Sequence, residues 1–195
     1  MAMAFKDEFK PDKPRSGLLS KLFLTQLQRR VLLKWALYAL MLLALSVTQD
    51  VLLSRFRLFG ATTELVVVGI FLISLAEGSE NGSVFSLVAS CLYLFSGSAA
   101  GYYSIVLITG LSIAIMLFRQ SYLQKGFAAS MLCTVFAVMV YEMVIFFLGL
   151  FLELTIWSRL SSHFLTGVYS LAFAPVLYPI VRAISNIGGD VWKES

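Results

Sequence analysis

Charge is scarce in this chain. Only 13% of its 195 residues are Asp, Glu, Lys or Arg, while 59% are hydrophobic; ordinary soluble domains carry roughly 25% charged residues. Mean hydropathy is +0.86. That shortage excludes a water-soluble globule. Histidine is limited to His163, and the two cysteines, Cys91 and Cys133, fall inside apolar stretches without metal-ligand spacing. No metal is therefore expected, and both cysteines read as small buried side chains. The chain has no phosphate-binding glycine loop, no HExxH and no GxSxG. An intramembrane protease or acyltransferase needs a nucleophile with its base, or paired carboxylates, at membrane depth. A single acid qualifies, so no enzymatic activity and no cofactor are expected. The net charge of +4 does not point to nucleic acid, because the basic residues flank apolar segments.

What the chain does have is a succession of apolar stretches from Trp35 to Ile184, such as Leu65–Ala76, Ile105–Phe118 and Phe127–Leu152. In hydrocarbon every backbone N–H and C=O must be satisfied internally, which leaves helices as the plausible element. The expected fold is an all-α integral membrane protein, a six-helix bundle over residues 35–184. Its spans lie at about 35–49, 62–76, 83–96, 102–118, 127–152 and 164–182. The second and third are short for a bilayer core that asks for ~20 residues. They either borrow flanking Thr, Ser and Gly, sit shielded within the bundle, or form a re-entrant pair. Glu77–Gly82 and Ser96–Gly101 are turn clusters, Arg119–Gly126 is a basic loop, and Glu153–His163 is polar.

Positive charge sets the expected orientation. With six spans, twelve Lys/Arg (Lys6, Lys10, Lys13, Arg15, Lys21, Arg29, Arg30, Lys34, Arg119, Lys125, Arg182 and Lys193) share one side, against three (Arg55, Arg57, Arg159) on the other. That places both termini in the cytoplasm. Trp35, Trp157 and Trp192 sit near span ends, as interfacial anchors do. Residues 1–34 form a basic tail rather than a cleavable signal, since a full span follows without a small-residue cleavage site. Within it, Leu19, Leu22, Phe23, Leu27 and Val31 share one helical face. The pattern suggests an interfacial amphipathic helix over 18–33 drawn to anionic lipid, or merely a topogenic signal. Residues 185–195 form a cytoplasmic tail.

The one acid near the middle of a span is Glu142, in Val140-Tyr141-Glu142-Met143. A charge at that depth costs ~2.5–3.5 kcal/mol on insertion scales, so such residues are functional candidates by default. Three roles are open to it: protonated glue bonded to Ser104, Thr109 or Ser112, contact with a partner's membrane helix, or a substrate or proton path. Gln49 and Asp50 stand by the first outer loop, where they are free to cap a helix or bind. His163 reads as a solvated loop residue. Gly82, Ser86 and Ser90 recur every four residues and align small side chains for close helix packing. That seam is either internal or a partner's dock. Pro175 and Pro179 should kink the sixth span.

The order of features over roughly 35–184 resembles the rod shape-determining protein MreD family. The resemblance rests on Gln49 closing the first span, Leu58-Phe59-Gly60, and Thr63-Glu64 opening the second. Glu77-Gly78 with Gly82 follows, then Tyr93, Ser96-Gly97 and Gly101. The chain departs from the pattern at Thr63-Glu64, where Pro-Asp is expected, at Ser86 and Ser90, where glycines are expected, and at Leu94, where an acid is expected. The resemblance implies a non-enzymatic membrane scaffold of the bacterial cell-elongation complex that supports peptidoglycan synthesis. Such proteins partner MreC, a bitopic membrane protein, and through it cytoskeletal filaments and peptidoglycan synthases. It also implies a bundle similar to the substrate-binding components of energy-coupling-factor vitamin transporters, and that similarity supplies the alternative function.

Overall fold

The computed structural model describes residues 26–53, 61–122 and 126–188. The expectations resting on Arg55, Arg57, Leu58-Phe59-Gly60, Lys125, the first 25 residues and the last seven lie outside that range. Seven α-helices follow in order: α1 (Gln26–Val47), α2 (Leu65–Glu77), α3 (Ser79–Phe95), α4 (Tyr103–Tyr122), α5 (Phe127–Phe151), α6 (Leu160–Leu171) and α7 (Ala174–Ser185). No strand occurs among the described residues.

The architecture follows from α2. Its sequence, Leu-Val-Val-Val-Gly-Ile-Phe-Leu-Ile-Ser-Leu-Ala-Glu, is apolar on every side, and a helix without a polar face belongs in an interior. Twelve of its thirteen residues are buried, and it packs against each of the other six helices. At 1.5 Å per residue it is about 20 Å long, short of the ~30 Å hydrocarbon thickness. Protein rather than lipid surrounds it, so its length need not match the bilayer.

The outer helices invert the soluble pattern. Leu40 and Leu43 on α1, Val88 and Leu92 on α3, Val106 and Leu117 on α4, and Leu132 and Phe136 on α5 are all exposed. An apolar belt of this extent belongs against lipid. Three stretches are long and apolar enough to cross a membrane, Arg29–Val51, Tyr103–Ser121 and Phe127–Phe151. The pair Trp157–Leu171 and Ala174–Ser185, bent by 45°, makes a fourth if it is one broken span. The chain thus has the character of a helical membrane protein.

Two local features differ from the sequence expectation, and the expected kink of the sixth span is present, just ahead of its prolines. Residues 26–33 belong to the same helix as the first span, so over the described part of 18–33 there is no separate surface helix. α1 then continues into a π-turn, Thr48–Leu52. The bend in the sixth span lies at Ala172–Phe173, ahead of Pro175 in the first turn of α7. Proline lacks an N–H and its ring clashes with the carbonyl four residues back, so the helix breaks before it. Pro179 lies inside α7.

The α2–α3 joint is a single residue, Gly78, at φ +83°, a conformation glycine adopts without steric cost. A methyl on Gly82 would lie 2.5 Å from the Ser74 carbonyl oxygen and 2.7 Å from Met116 Sδ. Gly82, Ser86 and Ser90 are all buried, and Ser90 Oγ lies 3.2 Å from Thr109 Oγ1 of α4. The small-residue seam is therefore used within the bundle. Gly82→Ala is expected to lower stability by about 1–3 kcal/mol through overpacking. Gly110→Ala, where a methyl meets nothing within 4 Å, should be neutral or stabilising by up to ~1 kcal/mol. Thermal unfolding of the two variants in one detergent makes the comparison.

Candidate functional site

A helix buried to its ends brings four orphan N–H groups and four orphan carbonyls into the interior. Side chains from other helices meet several of them. At the start of α2, Gln49 Oε1 accepts from the Val66 N–H at 3.2 Å, and the Glu64 N–H donates to Ser170 Oγ of α6 at 2.7 Å. Glu64 also puts an acid at the positive end of the helix dipole. At the other end, Arg119 Nη1 of α4 donates to the Leu75 carbonyl at 2.6 Å, a cation at the negative end.

The Glu77 end of α2 is closed by a buried ion pair. Lys34 Nζ of α1 lies 2.6 Å from Glu77 Oε2, and the Tyr38 hydroxyl donates to Glu77 Oε1 at 2.6 Å. Lys34, Tyr38 and Glu77 are at most 4% exposed. The Lys34 ammonium also stands 5.9 Å from the Trp35 ring centroid, within cation–π range. Each carboxylate oxygen has a donor. This end is structural.

The Glu64 end is different. Glu142 of α5 meets His163 of α6, with Oε2 and Nδ1 3.3 Å apart. Glu64 lies near both, and the Tyr141 hydroxyl stands beside Glu64 and Ser104. Yet Glu142 Oε1, Glu64 Oε2, Thr63 Oγ1, Tyr141 OH and Ser104 Oγ are buried without a hydrogen-bond partner among the described residues. Each such group costs about 1–3 kcal/mol when left unmet. This cluster therefore holds unused capacity both to donate and to accept. No group of three or more His, Cys, Asp or Glu is placed to hold a metal ion among the described residues.

Several expected contacts are replaced. Glu142 does not bond Ser104, Thr109 or Ser112: Thr109 pairs with Ser90, while the hydroxyls of Ser104 and Ser112 have no partner among the described residues. His163 is not a solvated loop residue but lies in the first turn of α6. The lone acid and the lone histidine thus meet across α5 and α6. A signal for this was present, since His163, Thr166, Gly167 and Ser170 form a polar and small stripe at helical spacing. Gly167 lets α5 approach, because a methyl there would lie 3.0 Å from Met139 Sδ and 3.5 Å from Glu142 Cγ. Gln49 caps α2, as described above. Asp50 accepts from Ser98 Oγ at 2.9 and 3.1 Å and so ties the end of α1 to the α3–α4 turn. Lys34 and Arg119 were legible only as topogenic charge, and nothing in the sequence singled out Tyr38.

No family model, no curated protein and no solved structure matches this chain.

Two outcomes follow. Lys34→Met strands a buried carboxylate and should cost about 3–5 kcal/mol, whereas Lys34→Met with Glu77→Gln should regain roughly half of that. A double-mutant cycle by unfolding in detergent reads this out. His163→Phe leaves both Glu142 oxygens unmet and should cost about 1–3 kcal/mol, while Glu142→Gln keeps a hydrogen-bonding group and should cost under ~1 kcal/mol. The same unfolding measurement separates them.

Proposed function

We propose that this chain is a non-catalytic scaffold of the MreD kind in the bacterial cytoplasmic membrane. It binds a MreC-like bitopic protein and, through it, peptidoglycan synthases and cytoskeletal filaments of the cell-elongation complex. One observation carries this reading: the described residues behind the resemblance are mostly those that hold α2 in place. Gln49 caps its first turn and Glu64 anchors its start to Ser170. Glu77 closes its end, Gly78 makes the turn, and Gly82 allows α3 onto it. Tyr93 is buried and donates to the Ser98 carbonyl, across a turn where Gly97 and Gly101 both have positive φ. A pattern made of architectural residues suits a protein whose work is to present a shaped membrane surface.

In this reading α1, α2, α3, α4 and α5 each cross once, and the bent α6–α7 pair makes the sixth crossing. The bundle is then of the kind seen in energy-coupling-factor substrate-binding components. The uneven split of basic residues, twelve against three, supports cytoplasmic termini. The full enclosure of α2 explains how a segment of thirteen residues serves as a span without facing lipid.

The test is affinity purification in mild detergent with identification of co-eluting proteins. A MreC-like protein should co-elute, and deletion of the gene should round or swell rod-shaped cells. Recovery of a transporter ATPase pair in place of wall-synthesis proteins would overturn the scaffold reading in favour of a vitamin-transporter component.

A further inference from the structure

We infer that the groove between α5 and α6 seats an acyl chain of an anionic phospholipid, whose headgroup phosphate meets Arg159 at the groove's mouth. The groove measures about 420 Å³. Its walls are Met143 and Phe147 of α5, Trp157 of the short 3-10 turn ahead of α6, and Leu160, Phe164 and Leu165 of α6. That is roughly the liquid volume of fourteen waters. Yet its accessible wall is apolar throughout, and an apolar hollow gives water no hydrogen bond to keep it there. A flexible hydrocarbon chain fills such a space through dispersion contacts.

Position decides which part of the lipid lies where. α5 ends at Phe151, and Met143 is about 12 Å below that end at 1.5 Å per residue. The groove therefore runs from the α5–α6 turn into one leaflet, within its hydrocarbon depth of ~15 Å. At its mouth the Trp157 ring rests on Phe146, with centroids 5.9 Å apart, and tryptophan favours headgroup level.

The mouth is charged as well as greasy. Arg159 is exposed and is the one Lys or Arg between Glu153 and His163. The ion pairs among the described residues join Lys34 to Glu77 and Glu142 to His163, so the Arg159 guanidinium has no carboxylate partner among them. It lies near His163, in the turn of α6 that begins with Leu160 of the wall. α6 also starts without a side-chain cap, and the positive end of its dipole adds to the same potential. A cation above an apolar slot complements an anion carried on an apolar tail. A zwitterionic headgroup brings an ammonium to the same place and gains less. This site rests on membrane embedding alone, not on the scaffold reading.

The test uses the full chain in phosphatidylcholine nanodiscs doped with brominated phosphatidylglycerol or brominated phosphatidylcholine. Bromine quenches tryptophan at close range, and subtracting the Trp157→Phe protein isolates Trp157 from the other tryptophans. The phosphatidylglycerol should quench Trp157 saturably, at a mole fraction about fivefold lower than the phosphatidylcholine requires. Arg159→Gln should erase most of that preference. Ser161→Phe, which places a ring on the exposed side of the groove, should abolish saturable quenching. Leu92→Phe, on the lipid-facing side of α3, should change neither. If Ser161→Phe fails to fold, Arg159→Gln decides. The inference is overturned by equal quenching from the two lipids, by a preference that survives both groove variants, or by displacement of the lipid with soluble glycerophosphate. Quenching that appears only after a co-purifying protein is stripped away overturns it as well, because the groove then belongs to that protein.

Discussion

A helix of thirteen residues that lies inside the bundle needs partners for its ends, and the rest of this molecule is arranged around that need. Longer membrane helices leave their terminal N–H and C=O groups in the headgroup region, where water serves them. α2 stops short, so other helices supply the partners: Gln49 from the π-turn after α1, Ser170 from α6 and Arg119 from α4. Those reaches tie three separate parts of the chain to one element. The packing follows, because α2 then touches all six of its neighbours.

The two ends of α2 solve the same problem differently. At Glu77 the carboxylate meets an ammonium and a phenol, each at 2.6 Å. A buried pair of this kind adds little net stability over an apolar substitute, but it penalises any arrangement that separates the partners. It therefore specifies how α1 meets α2. At Glu64 the polar groups outnumber their bonds, and Thr63, Glu64, Ser104, Tyr141 and Glu142 each keep an unmet atom among the described residues. Local stability is given up there. Fold-level consistency usually fails at sites kept for something besides folding, and this is the place in the described structure where it fails most.

The periphery has no such constraint. Exposed Leu, Val, Ile and Phe cover α1, α3, α4 and α5, where lipid tails are as good a neighbour as another side chain. Association within such a medium depends on close packing and interhelical hydrogen bonds. Gly82 against the Ser74 carbonyl, and Gly167 against Met139 and Glu142, are the points where missing side chains permit that approach.

Composition and hydropathy by themselves determined that the chain is helical and membrane-embedded, because hydrocarbon admits few other backbones. The turn at Ser96–Gly101 and the small-residue seam were also readable, since each depends on neighbours close in sequence, while the turn expected over Glu77–Gly82 narrows to Gly78 alone, with Ser79–Gly82 already in α3. Helices α3, α4 and α5 appear near their expected limits for the same reason, whereas α1 already runs from Gln26 and the last span is broken in two. What the sequence could not decide was which polar residues meet. Glu142 had three plausible hydroxyl neighbours and took none of them; His163 had the look of a loop residue and became its partner. Lys34 and Glu77 are 43 positions apart, and nothing local couples them. Such pairings depend on helix rotation and depth, which are set only when α2 is enclosed on all sides. Periodicity reports which face of a helix is apolar, but the identity of the facing helix is a property of the assembled bundle.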